Sequence, residues 1–157
     1  MPNLRAFLLA FALSLLALAS AHAAPHDWAT LQHDGSMVQV PRDVFAADAG
    51  AGTPKGRMLK TPDGRAHLHV FTVHNERGES PAQFLARVFP RDRTRLSYDR
   101  VAGNFFAISQ PSAALILYRR CNFVARDIHC VDLQYPRADK RAFDGIVSRI
   151  SLSLRPR

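Results

Sequence analysis

The stretch that decides the fold is residues 113–136, AALILYRRCNFVARDIHCVDLQYP. Two runs rich in apolar and β-branched residues flank the short segment Ala125-Arg126. Such runs favour strands, and a short break between two of them favours a tight turn. The sequence therefore predicts a β-hairpin with strands over 113–121 and 128–135 and a turn at Ala125-Arg126.

Further strands are predicted on the N-terminal side of this hairpin. The segment Thr61-Pro62-Asp63-Gly64 has turn chemistry, because proline presets its own φ and glycine accepts a positive φ. Short apolar or alternating runs separated by turn residues surround it, which favours neighbouring antiparallel strands. The predicted strands cover residues 36–40, 57–60, 65–73, 96–101 and 104–110.

Two helices have clear sequence signals, and a third has a weaker one. Ser80, Pro81 and Gln83 form a capping-box pattern at a helix start. Near the C-terminus an apolar residue recurs every three or four positions after Asp139, a fair cap, and this stripe predicts an amphipathic helix. Trp28 and Leu31 are three residues apart, which predicts a short helix in the lead-in. The apolar stripe consists of Phe143, Ile146, Val147, Ile150 and Leu154.

These elements predict one α+β domain. Its sheet is mainly antiparallel, has about six or seven strands, and is packed by the C-terminal helix and one or two shorter helices. Phe71 and Val73 have the opposite parity to Leu68 and Val70 within one strand. Either that strand contains a bulge or both faces of the sheet are covered. The composition, 47% hydrophobic and 22% charged, excludes a disordered chain and a coiled coil.

The first residues predict an export signal. Residues 7–19 are apolar except for Ser14, and Ala21-His22-Ala23 is a cleavage motif of small residues. We expect residues 1–23 to be a cleaved signal peptide and 24–157 to be the domain, located in the periplasm or secreted. The alternative is a retained membrane anchor, for which the apolar run is short.

Cys121 and Cys130 are the two cysteines of the sequence, and the predicted hairpin places them opposite each other. Export favours oxidation of such a pair. The spacing is not C-x-x-C and no catalytic signature surrounds either residue. We predict a structural disulfide; a redox or catalytic thiol is the alternative.

The sequence carries a net charge of +8, from 21 Lys+Arg against 13 Asp+Glu. Such a field attracts anionic partners such as lipid headgroups or acidic glycans. A solvated basic face without a dedicated ligand is the alternative, and we expect no nucleic acid because the chain has no motif for it. The densest cluster of basic residues supplies the candidate anion-binding residues, Arg87, Arg91, Arg93 and Arg95. Arg100 lies a little beyond this cluster.

Three histidines are candidate metal ligands. His67 and His69 are two apart in a predicted strand and share one side, and His74 lies just beyond. Zinc and copper sites use such pairs. The alternative is that the histidines face water while Leu68 and Val70 face the core.

Scattered features resemble a known group of proteins. They are Trp28, Pro41, residues 63–68 (DGRAHL), Tyr98, Tyr118-Arg119, Tyr135-Pro136 and the closing helix with Ser-Leu-Arg at 153–155. In these the chain resembles an uncharacterised family of small exported proteobacterial proteins, and its layout resembles the PsbP/Mog1-type α-β-α sandwich. The resemblance spans nearly the whole mature chain and implies a fold and a compartment, but no catalytic residues. The glycine-rich loop at residues 50–56 departs from it.

No catalytic motif is present: there is no G-x-S-x-G, P-loop or dinucleotide fingerprint. The sequence therefore favours an exported, non-catalytic domain without a cofactor, which binds a protein partner or an anionic envelope component. The alternatives are a small hydrolase whose site is built from distant residues and a histidine-based metal-binding protein.

Overall fold

The computed structural model describes residues 25–48, 55–89 and 93–157. The predicted signal peptide, Arg91 and most of the glycine-rich loop lie outside these ranges. The elements in chain order are β1 (Trp28–His33), β2 (Ser36–Pro41), β3 (Ala47–Asp48), β4 (Arg57–Lys60), β5 (His67–His74), α1 (Pro81–Val88), β6 (Tyr98–Val101), β7 (Phe105–Pro111), β8 (Leu115–Val124), β9 (Asp127–Pro136), α2 (Lys140–Ser153) and β10 (Arg155–Pro156).

The strands form two antiparallel sheets. The larger has the order β3-β4-β5-β9-β8-β7-β6, so β9 is its middle strand. The smaller has the order β1-β2-β10. One-turn 3₁₀ helices at Arg93–Arg95 and Arg137–Asp139 precede β6 and α2. The predicted α+β class, the mainly antiparallel sheet and the C-terminal helix are confirmed.

The prediction of a short helix at Trp28 and Leu31 is wrong, because this segment is strand β1. It pairs with β2 from Trp28 opposite Pro41 to His33 opposite Ser36. Asp34 and Gly35 both have positive φ, at 47° and 75°. Two such residues make the tight turn that joins twisted antiparallel strands. The secondary structure of this segment is therefore determined by the Asp-Gly turn and not by the three-residue spacing of Trp28 and Leu31.

Both faces of the large sheet are covered. Strand β5 pairs with β9 without interruption from His67 to His74, so it contains no bulge. Leu68 and Val70 belong to the core beneath α2, whereas Phe71 and Val73 pack against the cluster beneath α1. The change of parity within β5 therefore reflects two covered faces of the sheet and not a bulge.

Helix α2 packs through the predicted stripe. Its residues Phe143, Ile146, Val147 and Ile150 are buried, as is Leu154 at its C-terminal end. They join β2, β5, β8 and β9 in one core, in which the rings of Tyr135 and Phe143 stack 4.7 Å apart.

Helix α1 begins with the predicted capping box. The backbone N–H of Gln83 donates to the Ser80 hydroxyl, and the backbone N–H of Ser80 donates to the Gln83 side chain. This arrangement satisfies two N–H groups that a helix start otherwise leaves unpaired. Phe84 and Leu85 are buried against β7 and β8 on the second face of the sheet.

Cys121 and Cys130 form a disulfide across the predicted hairpin. They are directly opposite in the β8–β9 ladder, with Cα atoms 4.2 Å apart, and both are fully buried beneath α1. The turn falls at Ala125-Arg126, and Ala125 has a positive φ of 53°.

We expect the double variant Cys121→Ala/Cys130→Ala to lose about 2.7 kcal/mol of unfolding free energy, because the bridge restricts a short loop of the unfolded chain. Urea denaturation measures the change. Reduction of the unmodified protein with dithiothreitol should produce a similar loss. Equal stability of the oxidised and reduced protein would contradict this role.

The packing of α2 has a matched test within one helix. Ile150→Ala removes a fully buried side chain and should cost about 2–5 kcal/mol. Leu152 is 77% exposed, so Leu152→Ala should change stability by less than about 0.5 kcal/mol. Thermal denaturation of the two variants measures the difference, and similar losses would show that the helix packs through another face.

Candidate functional site

A groove of about 480 Å³ lies between α2 and the outer strands β6, β7 and β8. Three of its lining residues are basic: Arg100, Arg120 and Lys140. Hydroxyl groups make up much of the remaining lining. They belong to Ser97, Tyr98, Ser109, Tyr118, Tyr135, Ser148 and Ser151.

The sheet register aims these side chains into the groove. Tyr98, Ser109 and Tyr118 lie in one row across three strands, and Arg100, Ala107 and Arg120 lie in the next row on the same face. Alternation along each strand sends all of them towards α2. Ala107, which is buried, lies between the two arginines in this row.

The two arginines pack against an aromatic ring. The guanidinium carbons of Arg100 and Arg120 lie 5.4 and 4.3 Å from the centre of the Phe105 ring. The Nε atom of Arg120 donates to the Asn122 side chain at 2.9 Å. Neither arginine takes part in an ion pair with the residues that the structure describes.

Asp144, a carboxylate that lines the groove, already forms an ion pair with Lys140. The Nζ atom of Lys140 lies 2.8 and 2.9 Å from its two oxygens. The charges of Arg100 and Arg120 therefore remain available to an anion, and guanidinium groups bind carboxylates and phosphates through two parallel hydrogen bonds.

The floor of the groove is a buried hydroxyl contact. The Tyr118 hydroxyl lies 2.6 Å from the Ser151 hydroxyl, and Ser151 is buried. Burial raises the pKa of Tyr118 above its ordinary value of 10 and also raises that of Tyr135. Both phenols are therefore neutral hydrogen-bonding groups at physiological pH.

Two arginines of the cluster predicted from the sequence form ion pairs with carboxylates. The guanidinium of Arg87 donates two hydrogen bonds of 2.7 Å to Glu79, and the Nε atom of Arg93 donates to Asp99 at 2.7 Å. The hydrogen bond from Arg87 lowers the pKa of Glu79, and the same contact raises that of Arg87. Arg95 is exposed in the 3₁₀ turn before β6, and Arg91 lies outside the described residues.

The structure places the three candidate metal ligands on two different faces of the large sheet. His67 and His69 lie on the α1 side of β5, whereas the alternation of the strand places His74 on the other face, where it contacts Asp127 at 3.0 Å. His69 stacks on Phe71 at 4.6 Å, and a Cβ atom at Gly56 would lie 2.3 Å from its Nε2 atom. Ranges 25–48, 55–89 and 93–157 contain no cluster of three His, Cys, Asp or Glu side chains suited to a metal.

Sequence reasoning missed a buried polar cluster that joins the two sheets. The Ser36 hydroxyl lies 2.8 Å from the Thr72 hydroxyl and 2.8 Å from the Nδ1 atom of His129. A serine–histidine contact also occurs in hydrolases, but Ser36 is fully buried and pairs with Pro156 of β10. The contact therefore links the β1–β2 hairpin to the large sheet. Its residues are too far apart in sequence for any motif to reveal it.

The comparisons with known proteins concern the fold. No protein-family model matches the sequence, and no curated protein matches it. The solution structure of cyanobacterial PsbP (CyanoP) from Synechocystis sp. PCC 6803 is similar, with a TM-score of 0.59 and 10% sequence identity. The alignment covers 91% of this chain and 99% of that one. This chain has a PsbP-like fold.

The PsbP-like fold confirms the layout that the sequence resemblance implied. At 10% identity the likeness establishes the fold alone. Within the described residues, neither helix is both long and apolar enough to cross a bilayer.

The His129 cluster predicts a pH dependence of stability. Burial lowers the pKa of His129 below its ordinary value of 6.5. The unfolded chain then binds this proton at a higher pH than the folded chain does, so stability is lost as the pH falls below 6.5 towards the lower pKa. His129→Asn keeps an acceptor for Ser36 but cannot titrate, and we expect a shallower fall in melting temperature between pH 7 and 5.

The matched control for this measurement is His67→Asn, a second histidine of the same sheet on the other face. It should retain the slope of the unmodified protein. If His129→Asn retained that slope as well, the burial of His129 would not be the source of the pH dependence.

Proposed function

We propose that this chain is an exported, non-catalytic domain that binds an anionic group of a partner in the groove between α2 and strands β6–β8. The observation that carries the proposal is the pair Arg100 and Arg120, which face the groove together without a carboxylate partner among the described residues.

Export is supported by the sequence and is compatible with the disulfide. Residues 7–23 have the apolar run and the cleavage motif of a signal peptide. The disulfide between Cys121 and Cys130 suits an oxidising compartment such as the periplasm or the extracellular medium.

The lining of the groove suits an oxyanion that carries further polar groups. Arg100 and Arg120 supply charge and paired N–H donors, while serine and tyrosine hydroxyls both donate and accept hydrogen bonds. A volume of about 480 Å³ falls within the range of ligand sites in proteins. The net charge of +8 adds long-range attraction, which speeds the encounter and weakens with salt.

A binding role is favoured over a catalytic one because none of the described lining residues is a nucleophile paired with a base. Its carboxylate, Asp144, is held by Lys140, and the described serine–histidine contact at Ser36 lies buried elsewhere. The groove can thus hold and orient an anion.

The proposal predicts the effect of removing the two groove arginines. The double variant Arg100→Gln/Arg120→Gln should bind heparin, a sulfated polysaccharide used here as a polyanionic probe, about 10-fold or more weakly, because hydrogen bonds to charged groups are lost. Isothermal titration at two salt concentrations measures the affinity and its salt dependence.

The control must change net charge equally without touching the groove. Arg77→Gln/Arg126→Gln removes two exposed arginines that do not line it. It should retain most of the affinity. Equal weakening of both double variants would mean that net charge alone attracts the probe, and the groove would not be the site.

A further inference from the structure

Strand β6 forms one edge of the large sheet and one wall of the groove. We propose that the partner is a polypeptide, and that an extended segment of it with acidic residues at alternate positions pairs with the outer edge of β6, which no described residue occupies. This inference rests on the proposed function, because the acidic side chains would enter the groove beside Arg100.

The backbone of β6 offers the hydrogen-bonding groups that such a strand needs. The N–H of Ala102 donates to the carbonyl of Phe105 at 2.8 Å, which fixes the alternation of the β6–β7 ladder. In an antiparallel ladder every second residue bonds the same neighbour. The N–H and C=O groups of Asp99 and Val101 therefore point away from β7, and none of the described residues pairs with them.

The side chains of β6 leave this edge accessible. All four residues of the strand are exposed. Tyr98 is 44% and Val101 36% exposed, and both belong to the small set of large apolar side chains on the described surface. An exposed edge of this kind is the feature that peptides use when they add a strand to a sheet.

The charge around β6 selects the partner. A strand paired with β6 would place alternate side chains beside Tyr98 and Arg100, on the groove side. Carboxylates at those positions would meet the guanidinium of Arg100. The intervening side chains would lie beside Val101 on the other face, where Asp99 is already paired with Arg93. The fitting sequence therefore alternates acidic and apolar residues.

A second copy of the chain fits this edge less well. A symmetric pairing that joins Asp99 of one copy to Val101 of the other places the two Arg100 side chains opposite each other. Like charges directly opposite in a sheet are destabilising. A lipid or a glycan has no strand-like backbone to pair with the edge.

The test uses a short blocked peptide in which glutamate and valine alternate, with a fluorescent label read by anisotropy. In the antiparallel arrangement the valine amides face β6 and the glutamate amides face away. N-methylation of the valine amides should weaken binding about 10-fold or more, whereas N-methylation of the glutamate amides should not. Equal binding of all three peptides would overturn the proposal, since their charge is the same.

Two variants of one residue test the protein side. Val101→Pro removes an outward N–H that the β6–β7 ladder does not use, and proline is tolerated in that position of an edge strand. Val101→Ala removes the side chain and keeps the N–H. We expect Val101→Pro to weaken peptide binding about 10-fold and Val101→Ala by less than about threefold, with circular dichroism confirming that both fold. Equal effects would overturn the role of the backbone edge.

Heparin binding separates this inference from the proposed function. If Val101→Pro retains its affinity for heparin and loses its affinity for the peptide, the proposed function and the edge pairing are both supported. If the peptides bind regardless of methylation while Arg100→Gln/Arg120→Gln weakens heparin binding, the edge pairing is wrong and the anion groove stands. If neither heparin nor peptide binds, both fail. A concentration-dependent dimer that Val101→Pro abolishes would identify a second copy as the occupant and overturn the peptide.

Discussion

Strand β9 lies in the middle of the large sheet, and both of its faces are covered. Val131, Leu133 and Tyr135 point into the core beneath α2, while Ile128 and Cys130 point towards α1. A strand buried on both sides fixes the register of its two neighbours, because a slip of one residue would exchange the two faces. Strands β5 and β8 are therefore held in place, and the disulfide adds a covalent link at one position of the β8–β9 ladder.

The groove follows from how α2 covers this sheet. The buried side of the helix packs against β2, β5, β8 and β9, in the half of the sheet around the middle strand. Strands β6 and β7 extend beyond that contact, so polar side chains on the same face line an open space there. The same strands that complete the sheet thus supply the wall and the floor of the candidate site.

Local signals in the sequence predicted most of the elements. The hairpin of β8 and β9, the turn at residues 61–64, the capping box of α1 and the stripe of α2 each depend on residues close together in the chain. The spacing of Trp28 and Leu31 predicts a helix where the structure has strand β1, because the Asp-Gly turn after this segment pairs it with β2. The contact between Ser36 and His129 was beyond prediction, since 93 residues separate its partners.

The charges show the limit of sequence reasoning about the site. The arginine cluster at residues 87–95 predicted the anion-binding surface. Whether each guanidinium can bind an anion, however, depends on which carboxylates the fold places beside it. Glu79 and Asp99 occupy two members of that run. Arg100 and Arg120 are on separate strands and meet only because the register of β6, β7 and β8 aligns them across Ala107. This alignment depends on the pairing of strands that are distant in sequence, and it cannot be predicted from the composition.

Strand β2 has neighbours from opposite ends of the described chain, β1 on one side and β10 on the other. During synthesis β2 leaves the ribosome long before β10 exists. The small sheet, in which Pro156 pairs with Ser36, can therefore be completed only after residues 155–156 have been synthesised. A nascent chain of this protein presents an incomplete small sheet until that moment, which lengthens the interval in which chaperones or targeting factors can engage it.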